Sequence, residues 1–198
     1  MDISGLSLLN IPNFKPITLN SEVVGFRGAT LSAPKRRWML REIKQYGIHT
    51  YADLRAGDRS DSFPLACEDA DIKYLHLPTD KFRTPDAVIV SNLFALAEII
   101  AEGGFYISCA LGLHRTDMAL SLNYLFNPRI NEPPILYAIL DDGRLRYHDI
   151  FQRAGNVYRT LSEKDKENLG WGDSFENEYI NRKRILQEYQ GEVAVWTG

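Results

Sequence analysis

The sequence predicts an α/β fold: a central, mostly parallel sheet of about four to five strands, flanked by helices on both faces and followed by a helical C-terminal extension. Three observations predict it. Short β-branched or apolar runs alternate with helix-length amphipathic segments between Glu22 and Asn127. The segments joining the strands are long enough to be crossover helices, which implies parallel pairing through right-handed connections. No repeat of solenoid or propeller length and no low-complexity tract is present. With 198 residues, 44% hydrophobic and 25% charged, the chain has ordinary globular composition and enough length for one substantial core. Residues 1–198 are therefore read as a single domain, with a core at about 21–127 and an extension at about 128–198.

The elements follow in order. EVVGF (Glu22–Phe26) is a β-branched run and predicts the first strand. In TLSAPKRRWMLREIKQYGI, Ser32 is a suitable N-cap, Pro34 falls in the first turn, and Met39, Leu40, Ile43 and Tyr46 share one helical face. Gly47 supplies the stop. IHTYADL (Ile48–Leu54) alternates at period two and predicts a strand, as does KYLHL (Lys73–Leu77). TPDAVIVSNLFALAEIIAEGG predicts a helix with Thr84 as N-cap and Pro85 at its first position, Val90, Leu93, Phe94, Ala97 and Ile100 on a common face, and Gly103 and Gly104 ending it. FYISC (Phe105–Cys109) is a further short apolar strand. After the loop ALGLH, the stripe Met118, Leu122 and Leu125 marks a helix that Asn127 and Pro128 terminate. Beyond about Asn131, YHDIFQRAGNVYRTL and SFENEYINRKRILQEY have helical spacing, joined by the polar link SEKDKENLGWGDS. Two or three helices make a marginal core alone, so the extension is expected to pack on the sheet.

Charge and cysteine content narrow the function classes. A net charge of −3 and a pI near 5.8 argue against a broad nucleic-acid surface. No apolar run reaches the roughly 20 residues of a membrane span, and MDISGLSLLN lacks a basic n-region, so a soluble cytoplasmic protein is expected. Cys67 and Cys109 are too few for a disulfide scaffold and fit free thiols in a reducing compartment. Four scattered histidines and two distant cysteines offer no metal-ligand spacing, and no cofactor is expected.

The chemistry concentrates in FYISCALGLHRTD, Phe105–Asp117. In open α/β sheets, sites lie at the carboxyl ends of strands, and Cys109 stands at such an end with a helix starting just beyond it. A strand, a tight glycine-containing loop and a helix N-terminus form an anion cradle, because successive backbone N–H groups point into the concavity and the helix dipole adds partial positive charge. Residues Ala110, Leu111, Gly112, Leu113, His114 and Arg115 are the expected phosphate-binding loop, with the Arg115 guanidinium able to hold two phosphate oxygens. The same environment favours a thiolate at Cys109, and the Thr116 hydroxyl is placed to reach back toward the sulfur. A core thiol without a role is the competing reading, since cysteine is a common buried residue. The conjunction of cysteine, Gly112, arginine, preceding strand and following helix weighs for the nucleophile.

These residues resemble the phosphate-binding loop of the cysteine-dependent protein tyrosine phosphatases, in particular the compact dual-specificity branch. The resemblance covers about residues 21–127, with GFRG before a helix, GIHTYADLR, and IKYLHLPTDKFRTP in matching order and spacing. It implies a dual-specificity phosphatase-like fold and hydrolysis of phosphate monoesters through a phosphocysteine intermediate. The expected partner is a phosphorylated protein or a small phosphorylated substrate. ALGLH carries no lysine, which favours a singly phosphorylated group such as phosphotyrosine. Inositol phosphates or phosphoinositides are the alternative, because Lys81 and Arg83 flank the candidate acid.

A leaving oxygen needs a proton, and a carboxylic acid on a loop over the site supplies one. Asp80, 29 positions before Cys109 in LPTDKFRTP, is the candidate. Its rival Asp86 falls in the first turn of a helix, where an acid has an ordinary structural reason to be. Arg27, Arg55, Arg59, Lys81 and Arg83 are candidates for the pocket rim, Arg27 and Arg55 foremost because each follows a predicted strand end. His76 reads as a satisfied core histidine, Asp53 as a local partner for an arginine, and Cys67 as an inert thiol in an irregular loop rather than a trap for oxidised Cys109. His114 touches substrate or only shapes the loop. Two positions depart from the family pattern: Ser108 stands where a histidine usually precedes the nucleophile, and Asp117 stands where glycine often follows the hydroxyl residue. The departures keep open a reading from another class, a phosphatase-like module that binds a phosphorylated partner without turning it over.

Overall fold

The computed structural model describes residues 10–55, 62–79, 84–137 and 146–197. Five strands form one sheet in the order β1-β2-β5-β3-β4. They are β1 (Lys15–Leu19), β2 (Glu22–Ala29), β3 (Thr50–Asp53), β4 (Lys73–His76) and β5 (Phe105–Cys109). β2, β5, β3 and β4 pair in parallel, and β1 joins β2 antiparallel at the edge. The mostly parallel α/β sheet is therefore the predicted one, with an edge strand added. Asn20 and Ser21, both at positive φ (51° and 64°), make the β1–β2 turn, the backbone of a two-residue hairpin whose twist matches that of the strands.

The helices are α1 (Arg36–Gln45), α2 (Ser62–Glu68), α3 (Asp86–Glu102), α4 (His114–Phe126), α5 (Tyr147–Thr160), α6 (Glu163–Leu169) and α7 (Phe175–Thr197). Successive side chains of a strand point to opposite faces, and β5 shows the result. Phe105, Ile107 and Cys109 join the apolar layer built with α3 and α4. Tyr106 joins the layer of Met39, Leu40 and Ile43 from α1 and Phe63, Ala66 and Cys67 from α2.

Four expectations need correction. Thr84 does not cap α3; Pro85 is the N-cap, and its carbonyl accepts from Val88 and Ile89 N–H. Cys67 lies in α2, not in an irregular loop. The polar link contains α6, closed by a capping box between Ser162 and Asp165 and by Gly170 at φ 88°. β2 runs three residues past Phe26, because Gly28 and Ala29 pair with Ser108 and Cys109.

α5 packs against α3 and α4, and α7 against α4, so every residue of α4 from Thr116 to Phe126 is buried. Phe126 stacks with Phe175 and Tyr179 at 6.0 and 5.4 Å between ring centroids, within the range of favourable aromatic pairs. Trp171 Nε1 donates to Phe126 O at 2.6 Å. Arg182, 8% exposed, donates through Nη1 to Tyr124 O (2.7 Å), Asn127 O (3.1 Å) and Ile130 O (2.6 Å). No helix among the described residues is long and apolar enough to cross a membrane.

Candidate active site

The carboxyl ends of β2, β5 and β3 lie side by side, and the candidate loop leaves the middle one. Cys109, 3% exposed, ends β5. Its carbonyl accepts from Thr30 N at 2.8 Å and Thr30 Oγ1 at 3.1 Å, which fixes the strand end to the segment after β2. Thr116 Oγ1 lies 3.5 Å from Cys109 Sγ, so the hydroxyl reaches the sulfur across one turn of loop. Ala110 and Leu111 are exposed, His114 and Arg115 half-buried on the first turn of α4, and Gly112 and Leu113 buried. Asn13 Nδ2 donates to Leu111 O at 2.7 Å and holds the outer limb of the loop.

Gly112 makes the tight turn possible. Its φ is +73°, and a Cβ there would stand 2.2 Å from Gly28 C and 2.5 Å from Ala29 N. Both are backbone atoms, so the loop passes directly over β2 in a conformation that only glycine adopts freely.

Beneath the loop the two departures from the family pattern have partners. Ser108 Oγ donates to Tyr51 Oη at 2.7 Å. Burial pushes the Tyr51 phenol far above its ordinary range, partly offset by this hydrogen bond, so it stays protonated. Asp117 is fully buried and forms an ion pair with Nη2 of Arg27. Arg27 itself is 2% exposed and also donates from Nη2 to Gly112 O at 2.9 Å and Leu113 O at 3.4 Å. The expectation that Arg27 lines the rim is corrected: it stands within β2 on the α4 face, because the strand continues through Ala29.

The remaining candidates separate into those the structure pairs and those beyond the described residues. Asp53 accepts from Arg55 Nε at 2.9 Å, Arg55 Nη2 at 2.6 Å and Tyr74 Oη at 3.0 Å. Burial would raise its carboxyl, but these hydrogen bonds outweigh it and hold the group below the usual carboxylate range. His76 Nε2 lies 2.7 Å from Arg55 O. Asp86 pairs with Arg153 of α5 at 2.9 Å, which gives it a structural task. Asp80, Lys81, Arg83 and Arg59 lie outside the described residues.

Cys67 and Cys109 belong to apolar layers on opposite faces of the sheet. Burial pushes the Cys67 thiol up to about 12, with Arg36 opposing. Cys67 is therefore expected to resist iodoacetamide at neutral pH in the folded protein and to react once the chain is denatured. Mass spectrometry of the native digest checks this, and alkylation of Cys67 at the rate of a free thiol would refute it.

A strand-ending cysteine, a glycine turn over the neighbouring strand, and a helix opening with arginine and threonine define a class: the cysteine-dependent protein tyrosine phosphatase superfamily, dual-specificity-like branch. Within it, the chain belongs to the family described as "DSP-PTPase phosphatase fused to NAD+ Kinase", whose model matches residues 7–124. No curated protein matches the sequence. Among solved structures, the DUF442 protein of Shewanella putrefaciens CN-32 is 13% identical, with a TM-score of 0.56 over 82% of this chain and 100% of that one. TpbA of P. aeruginosa is 17% identical, with a TM-score of 0.43 over 85% of this chain and 95% of that one. At these identities the likeness to the Shewanella protein establishes the fold alone.

Proposed function

We propose that this chain is a metal-independent phosphatase that hydrolyses phosphate monoesters through a phosphocysteine intermediate, on phosphotyrosine or another phosphorylated protein residue. The observation that carries the reading is the approach of Thr116 Oγ1 to Cys109 Sγ, 3.5 Å, at the start of a loop tied down from below. The Cys109 thiolate attacks phosphorus as the bond to the leaving oxygen breaks. Arg115 and the backbone N–H groups of residues 110–115 hold the three non-bridging oxygens. Asp80, assigned from its place in the sequence, protonates the leaving oxygen. It then takes a proton from the water that hydrolyses the S–P bond and frees the thiolate. The Thr116 hydroxyl donates to the sulfur and eases its departure in that second step. The lysine-free ALGLH supports a singly phosphorylated substrate, and two free thiols suit a cytoplasmic setting.

The test is hydrolysis of a generic aryl phosphate, without added metal, by wild type, Cys109→Ser and Asp80→Asn. Cys109→Ser is expected to lose turnover at least about a thousandfold, and Asp80→Asn roughly a hundredfold to ten-thousandfold. Turnover that survives in Cys109→Ser defeats the mechanism. A wild type that binds phosphopeptide without hydrolysing it supports the binding-module reading. Faster hydrolysis of inositol phosphates than of phosphotyrosine peptides replaces the substrate class.

A further inference from the structure

Arg27 has an environment that its sequence position does not announce. A guanidinium buried to 2% exposure is costly unless its charge is paired and most of its donors are met. Asp117 meets the charge. The Nη donors go to Gly112 O and Leu113 O in the loop and to Ile135 O at 3.4 Å, Nε meets no hydrogen-bond partner among the described residues, and the face of Tyr137 lies 5.1 Å from the guanidinium carbon. Asp117 in turn lies in the first turn of α4, two residues past Arg115. One side chain therefore grips the loop at two carbonyls and the following helix at a carboxylate.

A trans peptide unit points its carbonyl and its N–H in opposite directions. With the carbonyls of Gly112 and Leu113 drawn down toward β2, the N–H groups of Leu113 and His114 are turned to the other side of the loop, the side an oxyanion occupies. We infer that Arg27 is a positioning residue for the oxyanion cradle: by binding the Gly112 and Leu113 carbonyls and the Asp117 carboxylate, it sets the loop amides and the first turn of α4, which carries Arg115, in their anion-holding arrangement. This rests on the phosphatase reading given above. The inference also gives Asp117 a role, since its charge is spent on Arg27 beneath the loop rather than set against the thiol above it.

The experiment compares wild type with Arg27→Gln, Asp117→Asn and the double variant. It measures tungstate affinity by calorimetry, kcat and KM for an aryl phosphate, and thermal melting. Arg27→Gln is expected to weaken tungstate binding roughly ten- to hundredfold, the loss of a charge-assisted contact on the loop, with KM raised as well as kcat lowered. Asp117→Asn leaves the guanidinium buried without a counter-charge and is expected to melt lowest of the set. The double variant, neutral at both positions, is expected to regain most of the melting temperature while its tungstate affinity stays at least about tenfold below wild type. That separation is one a merely structural pair would not produce. If the single variants fail to fold, the double variant decides. A double variant that binds tungstate as tightly as wild type overturns the inference and leaves the phosphatase reading standing. A wild type that neither binds tungstate nor hydrolyses the aryl phosphate overturns both.

Discussion

Replacing Gly112 by alanine is expected to destabilise the protein by about 2–5 kcal/mol and to cut turnover at least about a hundredfold. Two costs add. Holding a residue with a Cβ at φ +73° costs about 1–2 kcal/mol. Forcing a methyl group into a packed contact costs about 1–3 kcal/mol more, and here the new atom would meet Gly28 C at 2.2 Å and Gly28 O at 2.5 Å. These are backbone atoms of β2, clamped by pairing to β5, and they cannot swing aside as a side-chain tip would. The loop must lift instead, and a misplacement of about an ångström at a reacting centre costs on the order of a hundredfold. Melting curves and initial rates on an aryl phosphate check both halves. Wild-type rates in a variant that melts normally would show that the close passage over β2 does not set the loop.

Arg182→Met is expected to cost about 3–5 kcal/mol, with the whole chain melting in one transition. The last carbonyls of a helix lack partners within it. Arg182 supplies them to Tyr124 O and, just beyond the helix end, to Asn127 O, Ile130 O and, at 3.3 Å, Pro128 O. The guanidinium is sandwiched by Tyr124 and Trp171, with rings 5.0 and 4.7 Å away, and a positive group suits the negative end of the α4 dipole. Methionine matches the stem and leaves the buried Tyr124 O and Ile130 O and the part-buried Pro128 O without this donor, while Asn127 O keeps the Ile130 N–H at 3.2 Å; each lost partner is worth about 1–3 kcal/mol before relaxation and water entry reduce the sum. For a chain of this size the loss corresponds to roughly 6–20 °C in Tm. Circular dichroism and Trp fluorescence, followed together, check the prediction. Two separated transitions, or an unchanged Tm, would show that the extension at 128–198 folds apart from the core.

What was legible in the sequence was whatever a single element declares by itself. Met39, Leu40 and Ile43 mark a buried helical face, and all three are buried. The apolar run before Cys109 declares β5, whose five residues are all buried. β1 escaped because KPITL is an edge strand with mostly exposed or half-buried positions, so no alternation announces it. Its turn uses Asn20 and Ser21 in place of the Asn-Gly signal. α6 escaped because EKDKENL has one buried residue and no apolar stripe, and a capping box closed by aspartate carries it instead. The nearness of Cys109, Gly112 and Thr116 was legible because strand, loop and helix are contiguous. The partnership of Arg27 with Asp117 joins residues 90 positions apart, and only the pairing of β2 with β5 brings them together. Gly28 and Ala29, small and easily taken for a loop, hid the strand that holds Arg27.

The burial of α4 on all sides has a consequence for how the protein can vary. A helix with an outer face tolerates drift along that face; this one, from Thr116 to Phe126, has none, so nearly every substitution along it meets a packed neighbour. Variation around the loop is thereby confined to its own outer limb. Ala110 and Leu111, both exposed, are the positions where new side chains can be tried without disturbing the beam that carries Arg115.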